Sequence, residues 1–155
     1  MDLTNKTILI TGATDGIGKV LAEEFSKLGS NIILLGKNSS KLDAVYDQLD
    51  HSFDSQKHLI LEADLSLLNN ESAHEILRAI SNEYDTLDGI IHNAAILGTM
   101  TPLEDYELSK WDEVLNINLR APFLLTKTLK SILENSTMPR IIFTSSGVAN
   151  TGRAF

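Results

Sequence analysis

The chain has 155 residues, 43% hydrophobic and 22% charged, enough for one domain of ordinary size with a filled core. Its formal charge of −8, without a Lys/Arg cluster, argues against nucleic acid and anionic membrane surfaces as partners, and the lack of cysteine excludes disulfides, thiolate metal sites and thiol nucleophiles. No apolar run reaches the roughly 18 residues of a transmembrane helix, and no signal peptide precedes the strand-like residues that begin by Ile8, so no membrane association and a cytoplasmic location are expected.

Strand-like and helix-like segments then alternate. Lys6 to Thr11 is a short β-branched run that ends at a glycine turn. Ile17, Leu21, Phe25 and Leu28 recur at helical spacing, with Gly29 as the stop. Asn31 to Leu35 is a second apolar run. Ser39 or Ser40 is placed to cap the next helix, whose buried face is expected to be Leu42, Val45, Tyr46 and Leu49. His58 to Leu61 is a third strand, and Ala73, Ile76, Leu77 and Ile80 mark one face of a helix between Asn70 and Tyr84. Leu87 to His92 is a fourth strand, Glu104 to Glu134 is mostly helical, and Arg140 to Thr144 is a fifth strand. The strands are near-continuous apolar runs, as expected when helices cover both faces of a sheet. With right-handed crossovers this order predicts an α/β fold with a doubly wound parallel sheet.

Between the first strand and first helix lies Thr11-Gly12-Ala13-Thr14-Asp15-Gly16-Ile17-Gly18. Gly12 permits a sharp turn out of the strand, Gly16 lets backbone approach a pyrophosphate, and Gly18 lets the helix pack closely. The helix start then offers unpaired N–H groups and positive dipole to phosphate oxygens. Such a turn also serves purely structural ends, but its place between a strand and an amphipathic helix favours a dinucleotide site of the Rossmann kind.

The spacing Gly-x3-Gly-x-Gly resembles the fingerprint of the short-chain dehydrogenase/reductase family. Four further segments match that family in order: Ala63-Asp64-Leu65, His92-Asn93-Ala94-Ala95, Asn116-Ile117-Asn118-Leu119 and Thr144-Ser145-Ser146. The resemblance implies that Asp64 and Leu65 lie at the adenine, that Asn93, Ala94 and Ala95 border the cofactor, and that Asn118 and Ser146 are catalytic. It implies cofactor contacts for Gly12, Thr14, Asp15, Gly16, Ile17 and Gly18 as well. His92 and Ala95 depart from the family's Asn and Gly; His92 is expected to be a strand-end histidine beside the cofactor. His51, His58 and His74 are scattered without ligand spacing, so no metal site is expected. Pro122, four residues after Asn118, has no N–H to donate back, so the helix should kink there and leave the Asn118 carbonyl able to hold a water.

An acidic residue at the end of the second strand selects NAD. Here the strand ends Leu35-Gly36-Lys37-Asn38, with a cation and no carboxylate, which favours NADP. In the family a Tyr-x3-Lys follows the catalytic Ser and supplies the proton. Tyr46, Tyr84 and Tyr106 all precede Ser146, and only nine residues follow it. The chain thus reads as a dinucleotide-binding domain over 1–155 that stops after its fifth strand, a fragment of a longer enzyme that is inactive on its own. Two functions follow: an NADP-dependent oxidoreductase acting on a small carbonyl or alcohol, expected to be a homo-oligomer when complete, or a non-catalytic dinucleotide-binding or interaction module.

Overall fold

The computed structural model describes residues 3–151. The expected domain bounds of 1–155 therefore extend at both ends outside the described residues. Five strands, β1 (Thr7–Thr11), β2 (Asn31–Gly36), β3 (Leu59–Glu62), β4 (Gly89–His92) and β5 (Arg140–Phe143), form one parallel sheet in the order β3-β2-β1-β4-β5. The chain winds outward from β1 through β2 to β3, crosses back to β4 on the other side of β1, and continues to β5. The order reverses between β1 and β4, where open α/β sheets bind ligands at the carboxyl ends of their strands.

The described residues form α1 (Gly16–Lys27), α2 (Ser39–Tyr46), α3 (Asn70–Glu83), α4 (Leu108–Leu115) and α5 (Ala121–Leu133); all of them cover the sheet except α4, which buries no residue. Strand side chains alternate between the faces. Ile8, Ile10, Ile32, Leu34 and Ile91 pack under α1 and α2, and Leu9, Ile33, Leu35 and Ile90 pack under α3 and α5. Among the described residues no helix is long and apolar enough to cross a membrane.

Two local expectations need correction, and a third, the mostly helical stretch from Glu104 to Glu134, holds with more detail. The face that α1 buries is Gly18, Ala22 and Ser26, whereas Ile17 is 60% exposed and Leu28 is also exposed. Small side chains let a helix lie close to the sheet, so the large ones at neighbouring positions are turned to its flanks and outer side. The cap of α2 is Asn38, whose side chain accepts the Lys41 N–H at 2.9 Å, rather than either serine. The long helical stretch is broken into a 3₁₀ turn at Leu103–Asp105, then α4, a π turn at Asn116–Arg120, and α5 with Pro122 in its first turn. The break in the helix expected at Asn118 takes the form of this π turn, which spans it; Pro122 has no N–H to continue the regular ladder.

Candidate active site

The turn after β1 is built against the end of β4. Gly12 takes φ +64°, and a Cβ there would lie 2.8 Å from the Ala94 Cα. At Gly18 a Cβ would collide with the Gly12 carbonyl oxygen and stand 2.6 Å from Asn93 Nδ2. The Thr11 hydroxyl oxygen accepts the Asn93 and Ala94 N–H groups, each at 3.1 Å. Asn93 Nδ2 donates to the carbonyls of Thr11 and Gly12, each at 3.3 Å. Gly12, Gly18 and Asn93 therefore interlock behind the turn. Asp15 caps α1, its carboxylate accepting the Gly16 N–H at 2.7 Å. Gly16 has φ +49°, and a Cβ there would meet no atom within 4 Å, so bare backbone faces open space.

That space belongs to a cleft of about 400 Å³ at the carboxyl ends of the strands. Its walls include Gly12, Thr14, Asp15 and Gly16 from the turn, Lys37, Asp64 and Leu65 beyond β2 and β3, and Asn93, Ala94 and Ala95 beyond β4. Bare glycine backbone, the amino end of α1 and a single lysine suit a dinucleotide whose pyrophosphate lies at that helix end. Two residues expected at the cofactor do not line the cleft: Gly18 is packed behind the turn, and Ile17 stands on the exposed side of α1. Four lining residues escaped the sequence reading: Gly36, Ala63, Ile96 and Ile117. Gly36 closes a strand, and Ala63 and Ile117 stand inside segments that match the family, so only Ile96 carried no signal; the Thr14 methyl stands 3.2 Å from where a Cβ on Gly36 would be.

Asp64 Oδ1 accepts both the hydroxyl (2.7 Å) and the N–H (2.8 Å) of Ser66, and these bonds, assisted by the charge of Lys37, hold its carboxyl below the ordinary carboxylate range. Asn118 lies in the π turn. Its Oδ1 accepts the Ile96 N–H and its Nδ2 donates to the Ile96 carbonyl, both at 2.9 Å, so the side chain clamps the loop after β4. Ser146 caps a 3₁₀ turn at Gly147–Ala149, its Oγ accepting the Val148 N–H at 3.5 Å. Thr144 Oγ1 donates to Asn93 Oδ1 at 3.4 Å, which ties the segment after β5 to the interlocked turn. Neither Asn118 nor Ser146 lines the cleft itself. Ala95 adopts no left-handed conformation; the left-handed residue of this loop is Gly98, at φ +78°.

His92 does not border the cleft. It is 4% exposed, lies on the α5 side of the sheet, bonds Thr126 Oγ1 through Nε2 at 2.8 Å and stacks on Phe143 with 4.9 Å between ring centroids. Burial pushes its pKa down to about 4, so it is neutral at pH 7. The other histidines are less scattered than their numbers suggest, since the rings of His51 and His58 meet at 4.8 Å. Tyr106 and Lys110 do stand at Tyr-x3-Lys spacing, but ahead of Ser146 and away from the cleft. The Tyr106 hydroxyl packs against Gly98, and Lys110 pairs with Glu113 at 2.9 Å on the surface.

A family model described as short chain dehydrogenase matches residues 6–155. Among curated proteins, the oxidoreductase YciK of Escherichia coli K12 is 35% identical over 152 residues, covering 98% of this chain and 60% of the relative. The 3-oxoacyl-[acyl-carrier-protein] reductase FabG of Aquifex aeolicus is 31% identical over 97% of this chain and 59% of its own length. The chain thus spans about 60% of the length of these relatives. A short chain dehydrogenase of Shigella flexneri 2a strain 301, solved with NADP, superposes with a TM-score of 0.91 at 36% identity over 99% of this chain and 64% of that one. Another from Escherichia coli CFT073, solved with NADPH, gives a TM-score of 0.90 at 36% identity, again over 99% of this chain and 64% of the other.

Proposed function

The chain belongs to the short chain dehydrogenase family, and from that premise we propose that it carries the cofactor-binding part of an NADP-dependent oxidoreductase acting on a small carbonyl or alcohol. The observation that carries this reading is the cleft, where glycine backbone and the amino end of α1 face the middle and Lys37, not a carboxylate, follows β2. The two relatives solved with NADP and NADPH support the same choice.

In this reading Gly12, Thr14, Asp15 and Gly16 hold the pyrophosphate, with Ile17 and Gly18 fixing the start of α1 behind them. Lys37 meets the 2′-phosphate, Asp64 and Leu65 the adenine, and Asn93, Ala94 and Ala95 form the opposite wall. When bound, the reduced nicotinamide supplies a hydride to the carbonyl carbon. The Ser146 hydroxyl, which uses a lone pair on Val148, keeps its hydrogen for the substrate oxygen as negative charge develops there. The Asn118 carbonyl would hold a water through which a proton passes toward the substrate, as the family resemblance implies, while its side chain keeps the Ile96 loop in place.

A second reading has its own support. Among the described residues the ionisable side chains lining the cleft are Asp15, Lys37 and Asp64; the first reading assigns all three to the phosphate or adenosine end, which leaves none of them to supply the substrate's proton. By that reading the 155-residue chain binds the dinucleotide without turning it over. Fluorescence titration with NADPH and NADH, followed by a carbonyl panel, tests both. The expected result is tighter NADPH binding, a preference narrowed or reversed in Lys37→Asp, and no reduction above a no-enzyme control. NADH binding at least as tightly as NADPH would end the NADP reading, and turnover by this chain would end the second. Homo-oligomerisation of the complete enzyme is also proposed, on the exposed stripe Leu108, Trp111, Leu115, Leu119 and Phe123 that runs along α4, the π turn and α5.

A further inference from the structure

Two loops wall the cleft, one after β3 and one after β4, and the π turn Asn116–Arg120 reaches both. Asn118 clamps Ile96 on the second loop, and Ile117, buried, lines the cleft between them. On the other side Arg120 Nη1 donates to the Leu68 carbonyl at 3.2 Å, a bond between residues 52 apart in the chain. The remaining polar bonds within the turn from Asp64 to Leu68 are local. Ser66 bonds Asp64 Oδ1, the Leu67 N–H donates to the Asp64 carbonyl at 3.1 Å, and the Leu68 N–H donates to the Leu65 carbonyl at 3.5 Å. Local bonds shape a turn but do not fix where it stands relative to the rest of the cleft. Its place is set by Leu65 and Leu68, both buried in the core, by the Ala63 N–H on the Gly36 carbonyl at 2.8 Å just before it, and by one long-range polar bond at its last residue, that from Arg120.

We infer that Arg120 is a positioning residue for the adenosine half of the dinucleotide: through Leu68 it sets the turn that presents Asp64 and Leu65 to the cleft. The element that carries Asn118 at one end of the site thereby also holds the other end. Arginine suits the task, since its side chain is long, permanently charged and ends in a planar fork of donors, whereas a lysine places one compact charge on a flexible stem. The inference deepens the dinucleotide reading and rests on it.

The test is a double-mutant cycle on the full chain, with Arg120→Met, Asp64→Asn and the pair, read as dissociation constants for 2′,5′-ADP, an adenosine-half probe, and for NADPH. Arg120→Met keeps the aliphatic stem and removes the donors. It is expected to weaken 2′,5′-ADP and NADPH by the same factor, about three- to tenfold, the worth of one hydrogen bond to a charged donor at a partly exposed site. The losses from Arg120→Met and Asp64→Asn should be less than additive, because both act through one turn. Arg120→Lys should recover part of the affinity. Wild-type affinity in Arg120→Met, or fully additive losses, overturns the role of Arg120 and leaves the dinucleotide reading standing. Failure of the parent chain to bind either probe removes the dinucleotide reading itself. Should Arg120→Met fail to fold, Arg120→Leu, which also removes the donors and keeps an aliphatic side chain, takes its place in the cycle and is judged by the same outcomes.

Discussion

Gly16 and Gly18 stand two residues apart and tolerate alanine differently. At Gly18 the added methyl collides with the Gly12 carbonyl and Asn93 Nδ2, so the interlocked turn must open. Gly18→Ala should cost about 1–3 kcal/mol, the range of overpacking, and abolish NADPH binding. At Gly16 there is space within the protein, so the folding penalty is the left-handed backbone alone, roughly 1–2 kcal/mol, while the added methyl stands in the cleft where the pyrophosphate would approach. Thermal unfolding and NADPH titration of both variants check this: both should lose NADPH binding, and a Gly16→Ala that destabilised the fold more than Gly18→Ala would contradict it. The fold also resists protonation of His58. Its Nδ1 accepts the Ile32 N–H at 3.0 Å, which leaves Nε2–H to donate to the Asp50 carbonyl at 2.9 Å. Burial holds its pKa below the ordinary histidine value, with the neighbouring His51 acting the same way and Asp50 opposing. A proton on Nδ1 would face the Ile32 N–H donor to donor. The bond therefore stabilises the fold above about pH 6.5, the unfolded value, and is lost as pH falls through the lower folded pKa. Urea midpoints measured between pH 7 and 5 should fall in the parent and fall less in His58→Gln; parallel curves would show that His58 is not the cause.

At the scale of elements, Asp88 joins three strands at the end of the sheet opposite the cleft. Its carboxylate accepts Lys6 Nζ at 3.0 Å, the Thr7 N–H at 3.0 Å and Ser136 Oγ at 2.7 Å, while its backbone pairs with Thr7 and Arg140. Burial alone would raise its pKa, but the hydrogen bonds from Ser136, Thr7 and Lys6 outweigh burial and hold it below the ordinary value. Its stabilisation is therefore present above about pH 3.9, the unfolded value, and is lost as pH falls through the folded pKa. Asp88→Ala leaves donors at β1 and the α5–β5 turn without a partner, which costs about 1–3 kcal/mol. Denaturant unfolding at pH 7 measures it, and a change below about 0.5 kcal/mol, typical of an indifferent surface site, would show that the hub contributes nothing. The same logic of shared partners explains Asn93, which joins the β1 turn to β4 and, through Thr144, to the segment after β5.

For the whole molecule, β5 is the edge of the sheet among the described residues, and Ile141, Ile142 and Phe143 are all exposed on it. Beside it, on the α1 face, a groove of about 520 Å³ is lined by Ile8, Phe25, Ile91, Met138 and Ile142. An unpaired apolar strand invites edge-to-edge pairing. The 155-residue chain is therefore expected to self-associate with rising concentration, and Ile142→Lys should shift sedimentation toward monomer more than Phe123→Glu on the α5 stripe does. The reverse order would move the association to the helical stripe, and a monomer at all concentrations would dismiss both surfaces.

The sequence by itself determined the order of elements, the parallel sheet and the position of the phosphate turn. Those features are local or periodic: apolar runs of strand length, helical spacing in α3, and glycines at a strand end. It also marked Gly12, Gly16, Lys37, Asp64 and Asn93, because each sits at a strand's carboxyl end, where the topology makes the cleft. Tertiary packing decided the rest. The rotation of α1 depends on how near the helix lies to the sheet, which its own periodicity does not encode, so Ile17 faces outward. The side of the sheet that His92 faces follows from strand alternation and from what covers that face, which puts it under α5 beside Thr126 rather than in the cleft. Ile96, Ile117 and Arg120 acquire their places only when the loops after β3 and β4 meet the π turn, contacts between residues 22 and 52 positions apart that no motif spacing records.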